Sequence, residues 1–162
     1  MMSASTLKRR RPPVTGHEED RNWKILLVED SFDDAAQAQH ILEKSERIGE
    51  VIPCYDAASL FHALEKNKLN RGVENNDPRS LILLDIHLPG IDGMVLLEQL
   101  KTSPLTDNIP IIILTGDTNV DMVYKSYKNH ANAFISKPLT ASDLNDIYTV
   151  FDEGSFWKKD LN

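Results

Sequence analysis

Cysteine is nearly absent from this chain, since Cys54 is the only one among 162 residues. A single thiol cannot build a disulfide framework, which indicates a reducing compartment, and within an apolar stretch Cys54 is expected to fill the core. Long apolar runs are lacking too: none approaches the roughly 20 residues that a membrane-spanning helix requires, and no signal-peptide core follows the start. We therefore expect a cytoplasmic protein without a membrane segment.

Basic residues are outnumbered by acidic ones in most of the chain. The formal net charge is −7, and because residues 1–23 hold five basic and three acidic groups, residues 24–162 carry −9. An acidic surface repels phosphate backbones and argues against direct binding of nucleic acid. The run Lys8-Arg9-Arg10-Arg11 is too short to identify a ligand, so residues 1–22, polar and without hydrophobic period, are interpreted as a flexible tail.

What remains is an alternation of short apolar runs and amphipathic segments. Strands are predicted over Lys24–Glu29, Val51–Tyr55, Leu81–Asp85, Pro110–Thr115 and Ala133–Ser136. Helices are predicted over Ala57–Glu65, over Met94–Lys101, and from the cap-like start Thr118-Asn119-Val120-Asp121 to about Asn129. Two more helices are predicted after capping sequences, Ser31-Phe32-Asp33-Asp34, which resembles a capping box with aspartate in place of glutamate, and Thr140-Ala141-Ser142-Asp143. A long loop is predicted over 67–79. Strands that are apolar on both faces belong in a parallel sheet covered by helices.

Five such βα units predict a doubly wound α/β domain over residues 23–153, followed by a short extension, 154–162, that contains Phe156-Trp157. The usual strand order, 2-1-3-4-5, opens a crevice between the carboxyl ends of strands one and three. Asp30 and Asp85 lie at the ends of those two strands, so the acids are expected where this topology binds ligands.

Reactive side chains lie at the ends of four of the five strands: Glu29 and Asp30 at the first, Asp85 at the third, Thr115 at the fourth and Lys137 at the fifth. The carboxyl ends of parallel strands meet at one edge, so these groups are expected around one point. Three carboxylates repel one another unless a cation joins them, and all-oxygen ligands suit Mg2+. Asp85 is then the best placed nucleophile for a phosphoryl donor, with Thr115 and Lys137 on the phosphoryl oxygens.

Each of these residues also has a purely structural interpretation. An aspartate at a strand end often caps a turn or a helix, Thr115 suits a strand terminus, and Lys137 suits an ordinary surface. The joint order of the residues at separate strand ends is what favours a site.

Four segments carry a resemblance to the receiver domain of two-component response regulators: Ile25–Ser31, Leu83–Gly93, Leu114–Gly116 and Ser136–Pro138. The resemblance covers about residues 24–152 and implies a flavodoxin-like fold. It also implies that a partner histidine kinase phosphorylates Asp85 in a Mg2+-dependent, self-catalysed reaction, without turnover as an enzyme. Asp30 would ligate Mg2+ directly, Glu29 largely through water, and His87 through its main-chain carbonyl.

The resemblance further implies a switch pair, Thr115 and Phe134, and makes Lys137-Pro138 a candidate cis peptide bond. Phenylalanine in place of tyrosine keeps an inward–outward packing change but loses the phenol hydrogen bond, and Phe134 also fits an ordinary core position. The His87 side chain is expected at the rim, where it would control water or block an approach. A phosphohistidine role is its alternative.

A narrower resemblance is to the stand-alone regulators that pair with bacterial phytochrome histidine kinases. It rests on the loop 67–79, on Ser126-Tyr127 before Asn132–Leu139, and on Phe156-Trp157. Members tend to form homodimers through helix four, strand five and helix five, where Val120, Val123, Tyr124 and Tyr127 are expected. Intramolecular packing of the last helix is the alternative. We therefore predict a single-domain regulator that acts through protein contacts.

Two rival functions use the same residues. A haloacid-dehalogenase-like phosphatase also has an aspartate nucleophile and Mg2+, but it requires a second aspartate two residues later, where His87 stands. A phosphate-independent interaction module requires a broken acid pocket, whereas the sequence has an intact one.

Overall fold

Strands and helices alternate along the chain in the computed structural model, which describes residues 23–69, 79–117 and 119–154. The elements are β1 Trp23–Val28, α1 Phe32–Leu42, β2 Ile48–Cys54, α2 Ala57–Leu69, β3 Arg79–Leu84, β4 His87–Leu88, β5 Ile91–Asp92, α3 Gly93–Thr102, β6 Ile111–Thr115, α4 Val120–Lys128, β7 Ala133–Ser136 and α5 Asp143–Glu153. The predicted tail 1–22, the centre of the predicted loop, Thr118 and Phe156-Trp157 lie outside the described residues.

Five of the strands form one parallel sheet in the order β2-β1-β3-β6-β7. Counted along the chain without the two short strands, this is the predicted order 2-1-3-4-5, and the doubly wound flavodoxin-like fold is confirmed. The short strands β4 and β5 pair with each other as an antiparallel hairpin. Within the described ranges, no helix combines the length and the apolarity that crossing a membrane requires.

The side chains of each central strand alternate between two cores. Ile25 and Leu27 pack on one face of the sheet, in the core that includes the buried faces of α1 and α5. Leu26 and Val28 pack on the other face, in the core that includes α2 and α3. Because both faces are covered, four successive residues at the carboxyl end of each of these strands, 25–28 in β1 and 81–84 in β3, are apolar, which is the pattern of continuous runs in the sequence. Cys54 is buried in the second core, as predicted.

Several element boundaries differ from the prediction. The second strand begins at Ile48 rather than Val51, because Trp23 of β1 pairs with Ile48 and pulls the less strand-prone residues 49 and 50 into the sheet. The predicted loop 67–79 is shorter at both ends, since α2 continues to Leu69 and β3 begins at Arg79. The pairing of Trp23 with Arg79 likewise sets the start of β3.

The predicted capping residue is confirmed at α1, whereas α4 is capped by Asn119, whose Oδ1 accepts from Asp121 N at 2.9 Å, and α3 by Asp92, which was not predicted. The side chain of Ser31 accepts a hydrogen bond from Asp34 N at 3.3 Å and caps α1. At α5, Ser142 makes no capping hydrogen bond. The bond is made within the predicted capping sequence by its two ends, since Asp143 Oδ2 accepts from Thr140 N at 2.7 Å.

The hairpin β4–β5 brings the start of α3 close to the residue after Asp85. Gly93 N donates to Ile86 O at 3.0 Å. A Cβ atom at Gly93 would lie 2.7 Å from the carbonyl carbon of Ile86, and closer still to its Cα and O atoms. Only glycine fits there, and the contact holds the backbone that follows Asp85.

Candidate functional site

Three carboxylates meet where β1 and β3 end side by side. Val28 pairs with Leu84, and Asp85 N donates to Val28 O at 3.0 Å, so Glu29, Asp30 and Asp85 leave neighbouring strands together. One carboxylate oxygen from each acid lies within 4.8 Å of the others. Glu29 and Asp85 are only 2% and 5% exposed, whereas Asp30 is exposed. The three predicted acids therefore form a compact cluster in which two side chains are buried and one is exposed.

Lys137 enters this cluster from the loop between β7 and α5. Its main-chain N–H donates to Thr115 O at 2.9 Å, which aligns the loop with the end of β6. Its ammonium lies 2.7 Å from Asp85 Oδ2 and also contacts the Glu29 carboxylate. The single ammonium thus offsets only part of the negative charge of the two buried acids. The Lys137-Pro138 peptide bond is cis, as the resemblance implies.

The site raises the pKa values of both Glu29 and Lys137, for different reasons. Burial raises the pKa of Glu29 to about 7, the hydrogen bonds from Lys137 and from Ser31 N reduce the rise, and the charge of Asp85 adds to it. Burial also disfavours the charge of Lys137, but hydrogen bonds to Asp85 and Glu29 outweigh it and raise the pKa of the ammonium above its usual range. Negative charge is therefore in excess at this point, and a cation relieves it.

The donor atoms fit a hard divalent cation. They are all carboxylate oxygens, and Oε2 of Glu29 is buried without a hydrogen bond in the described part of the chain, apart from its ion pair with Lys137. One exposed and two buried acids leave several positions for water, which Mg2+ and Mn2+ both accept.

The backbone and side chain of His87 lie beside Asp85. His87 N donates to Asp85 Oδ1 at 3.0 Å, so both carboxylate oxygens of Asp85 have partners, one on each side. The imidazole is exposed at the rim, as predicted, and its Nε2 lies 3.5 Å from Asp117 Oδ2. The role of the His87 carbonyl as a metal ligand stays a prediction.

Thr115 and Phe134 occupy neighbouring strands at the same edge. Thr115 is completely buried, and its Oγ1 accepts a hydrogen bond from Asp117 N at 3.3 Å, which leaves the hydroxyl hydrogen to be donated elsewhere. Phe134 is half-buried, pairs with Ile113, and packs against the core that contains α2 and α3.

The predicted dimer surface is partly exposed. Val120, Tyr124 and Tyr127 of α4 have more than half of their surface exposed, with Val120 highest at 73%, whereas Val123 is half-buried. The ammonium of Lys128 lies 4.9 Å from the centre of the Tyr124 ring. The helix therefore presents an apolar and aromatic stripe with a cation beside it.

Sequence reasoning missed two acids of this site. Asp34 was assigned to a capping box, but its carboxylate lies 3.2 Å from the Lys137 ammonium. Asp117, two residues beyond Thr115, pairs with His87. The second had a visible signal, an acid just past a strand that already carried a reactive residue. The first was concealed, because the same S-x-x-D spacing explains a helix start.

Comparison with known proteins identifies the family of this chain. The family model of the response regulator receiver domain matches residues 25–149. The chain is 36% identical over 134 residues to the response regulator Rcp1 of Synechocystis sp., which covers 82% of this chain and 87% of that protein.

Two solved structures give the same result. The phosphorylated cyanobacterial phytochrome response regulator RcpA is 30% identical with a TM-score of 0.63, over 82% of this chain and 96% of that one. The Mn2+-bound form of Rcp1 is 33% identical with a TM-score of 0.58, over 86% of this chain and 96% of that one. The chain therefore belongs to the receiver domains of two-component response regulators and is related to those of the phytochrome systems.

Proposed function

We propose that this protein accepts a phosphoryl group on Asp85 from a partner histidine kinase and changes its surface in response. The observation that carries the proposal is the Asp85 carboxylate, which has Lys137 on one oxygen and the His87 N–H on the other. A carboxylate held in this way has a fixed direction of attack. Accepting a phosphoryl group is also a role that is general to the receiver-domain family.

The proposed transfer is a displacement at phosphorus. An oxygen of Asp85 forms the new P–O bond, the P–N bond to the kinase imidazole breaks, and the imidazole nitrogen keeps the electron pair. Glu29, Asp30, Asp85 and the main-chain carbonyl of His87 would hold Mg2+. When bound, that ion neutralises charge on the phosphoryl oxygens. Lys137 would bind a second phosphoryl oxygen, and the Thr115 hydroxyl would donate to a third.

The signal would follow from the added charge. An aspartyl phosphate brings roughly 1.5–2 negative charges to a place next to Lys137 and Thr115. Movement of Thr115 toward the phosphoryl group would vacate space beside β7 and let Phe134 turn inward. We infer that this repacks the face made of α4, β7 and α5, on which Val120, Tyr124 and Tyr127 are exposed.

We further infer the partners of that face and of the site. The exposed stripe on α4 suits a homodimer contact, because it is apolar and lies beside the proposed switch. A phytochrome histidine kinase is the kinase class we propose, since RcpA is a cyanobacterial phytochrome response regulator. Size-exclusion chromatography with light scattering, before and after phosphorylation, tests the dimer. A mass that stays monomeric in both states would rule it out.

The phosphoacceptor is tested by intact mass spectrometry after incubation with acetyl phosphate, with and without Mg2+. We expect a single Mg2+-dependent phosphoryl adduct on the wild type and none on Asp85→Asn, which keeps the shape of the side chain but not its charge. An adduct on the variant would exclude Asp85 as the acceptor. Steady release of phosphate without an adduct would instead indicate a phosphatase, and neither adduct nor release would indicate a phosphate-independent interaction module.

A further inference from the structure

Helix α1 contacts the segment that carries Lys137 at two points. Asp34 Oδ2 lies 3.2 Å from the Lys137 ammonium, and Gln37 Nε2 donates to Leu139 O at 2.8 Å. Asp34 and Gln37 are three residues apart, so they lie on the same side of the helix. The first turns of α1 therefore hold both the side chain and the main chain of one loop.

The helix cap does not account for the direction of the Asp34 carboxylate. In a capping box the acid at this position accepts a hydrogen bond from the N–H of the capping residue. Here Ser31 N donates to Glu29 Oε1 at 3.1 Å instead. The Asp34 carboxylate is thus left to the Lys137 ammonium, which it reaches from the solvent side of the site.

The Lys137 ammonium is shared among three carboxylates. Its three hydrogens match the three acids, and two of them, Glu29 and Asp85, are buried. The Asp34 side chain is 54% exposed and is the outermost of the three. A phosphoryl oxygen on Asp85 needs one of those hydrogens, and the solvated Asp34 loses its partner at the lowest cost because water replaces it.

We propose that Asp34 is a positioning residue that holds the Lys137 ammonium in the unphosphorylated protein and competes with the phosphoryl group for it. This inference rests on the proposed function of Asp85. The interaction energy of an exposed ion pair corresponds to a change of about one- to fivefold in an equilibrium or rate constant. Removing the carboxylate also removes repulsion toward an anionic phosphoryl donor, so both effects act in the same direction.

The test compares the rate of phosphorylation by acetyl phosphate at subsaturating concentration and fixed Mg2+. Asp34→Asn is expected to react about two- to fivefold faster than the wild type, and Asp34→Glu to return close to the wild-type rate. The matched control is Asp33→Asn, which removes the same charge from the same turn of α1 but has no contact with Lys137 among the described residues. Equal rates for the two asparagine variants would overturn the inference, because the effect would then be one of charge alone.

A second measurement needs no phosphorylation and no metal. Unfolding midpoints of the wild type, Asp34→Asn, Lys137→Met and the double variant give the coupling between the two residues, with Lys137→Gln in place of Met if the apolar variant does not fold. We expect the two substitutions to be non-additive, and strict additivity would overturn the contact. If the wild type takes no phosphoryl group while the coupling is present, the proposed function and the competition fail together, and Asp34 is left as a structural partner of Lys137. If the wild type is phosphorylated and Asp34→Asn is not faster, only this inference fails.

Discussion

Replacing Gly93 by alanine tests how the backbone beside Asp85 is held. A Cβ atom there would lie 2.7 Å or less from three backbone atoms of Ile86, which are not the end of a flexible side chain and must move with the chain. Overpacking of this kind costs about 1–3 kcal/mol, and losing the Gly93 N to Ile86 O hydrogen bond costs about 1 kcal/mol more. We therefore expect Gly93→Ala to lower the free energy of unfolding by about 2–4 kcal/mol.

Gly116 supplies the matched control for this prediction. It also lies next to a site residue, Thr115, but a Cβ atom there would meet nothing within 4 Å. Gly116→Ala is expected to change the free energy of unfolding by less than about 1 kcal/mol, and in the stabilising direction, because alanine restricts the unfolded chain. Urea unfolding followed by circular dichroism measures both variants, with equal slopes as the check that midpoints can be compared.

The same pair of variants links the backbone contact to the site. A shift of Ile86 moves the His87 N–H that binds Asp85 Oδ1, so Gly93→Ala should also phosphorylate more slowly than Gly116→Ala in acetyl phosphate. If the two variants unfold at the same midpoint, the close approach of α3 to Ile86 is wrong. If Gly93→Ala is less stable but equally reactive, the contact stabilises the fold without positioning Asp85.

Three further substitutions test other parts of the fold. His130 has φ 66°, a left-handed conformation that is strained in a residue with a side chain, so His130→Gly should raise the free energy of unfolding by about 0.5–1 kcal/mol in urea unfolding, and a loss of stability would contradict the strain. Leu83 is completely buried in the central strand, so Leu83→Ala should cost about 2–5 kcal/mol in the same assay, and a cost under about 1 kcal/mol would show a loosely packed core. Lys101 donates to Ile109 O and to Asn132 Oδ1, and burial lowers its pKa to about 8 from an ordinary 10.5, with the charge of Asp107 opposing the change. Between pH 8 and 10.5 Lys101 is therefore neutral in the folded protein and takes up a proton on unfolding. The free energy of unfolding of the wild type should then rise relative to that of Lys101→Met as the pH rises from 8 to 10.5, and a difference that stays constant with pH would contradict the low pKa.

The parallel sheet was predictable because its signal is local. Ile25 to Val28 are apolar at every position, and only a strand covered on both faces needs that. The start of the second strand was not predictable in the same way. Gly49 and Glu50 have no preference for strands, and they join the sheet because β1 is already beside them.

The identity of the site residues was likewise contained in the sequence. Glu29, Asp85 and Lys137 follow three separate apolar runs, and the edge at which parallel strands end brings such residues together whatever the details of packing. That argument gives these members of the site and its excess of negative charge, but not Asp34 or Asp117. It gives no distances, because strand ends can meet without their side chains touching.

Only the tertiary structure decided which groups touch. The Lys137 ammonium reaches Asp34, 103 positions earlier in the chain, and Asp85, 52 positions earlier. Local propensity explains Asp34 completely as part of a helix start, so nothing in its neighbourhood reveals the second contact. The contact exists because α1 and the loop after β7 pack at the same edge of the sheet, and the distance between them depends on every side chain in the core beneath. The sequence alone determined the sheet and the chemistry of its edge, and long-range packing determined the pairing of charges there.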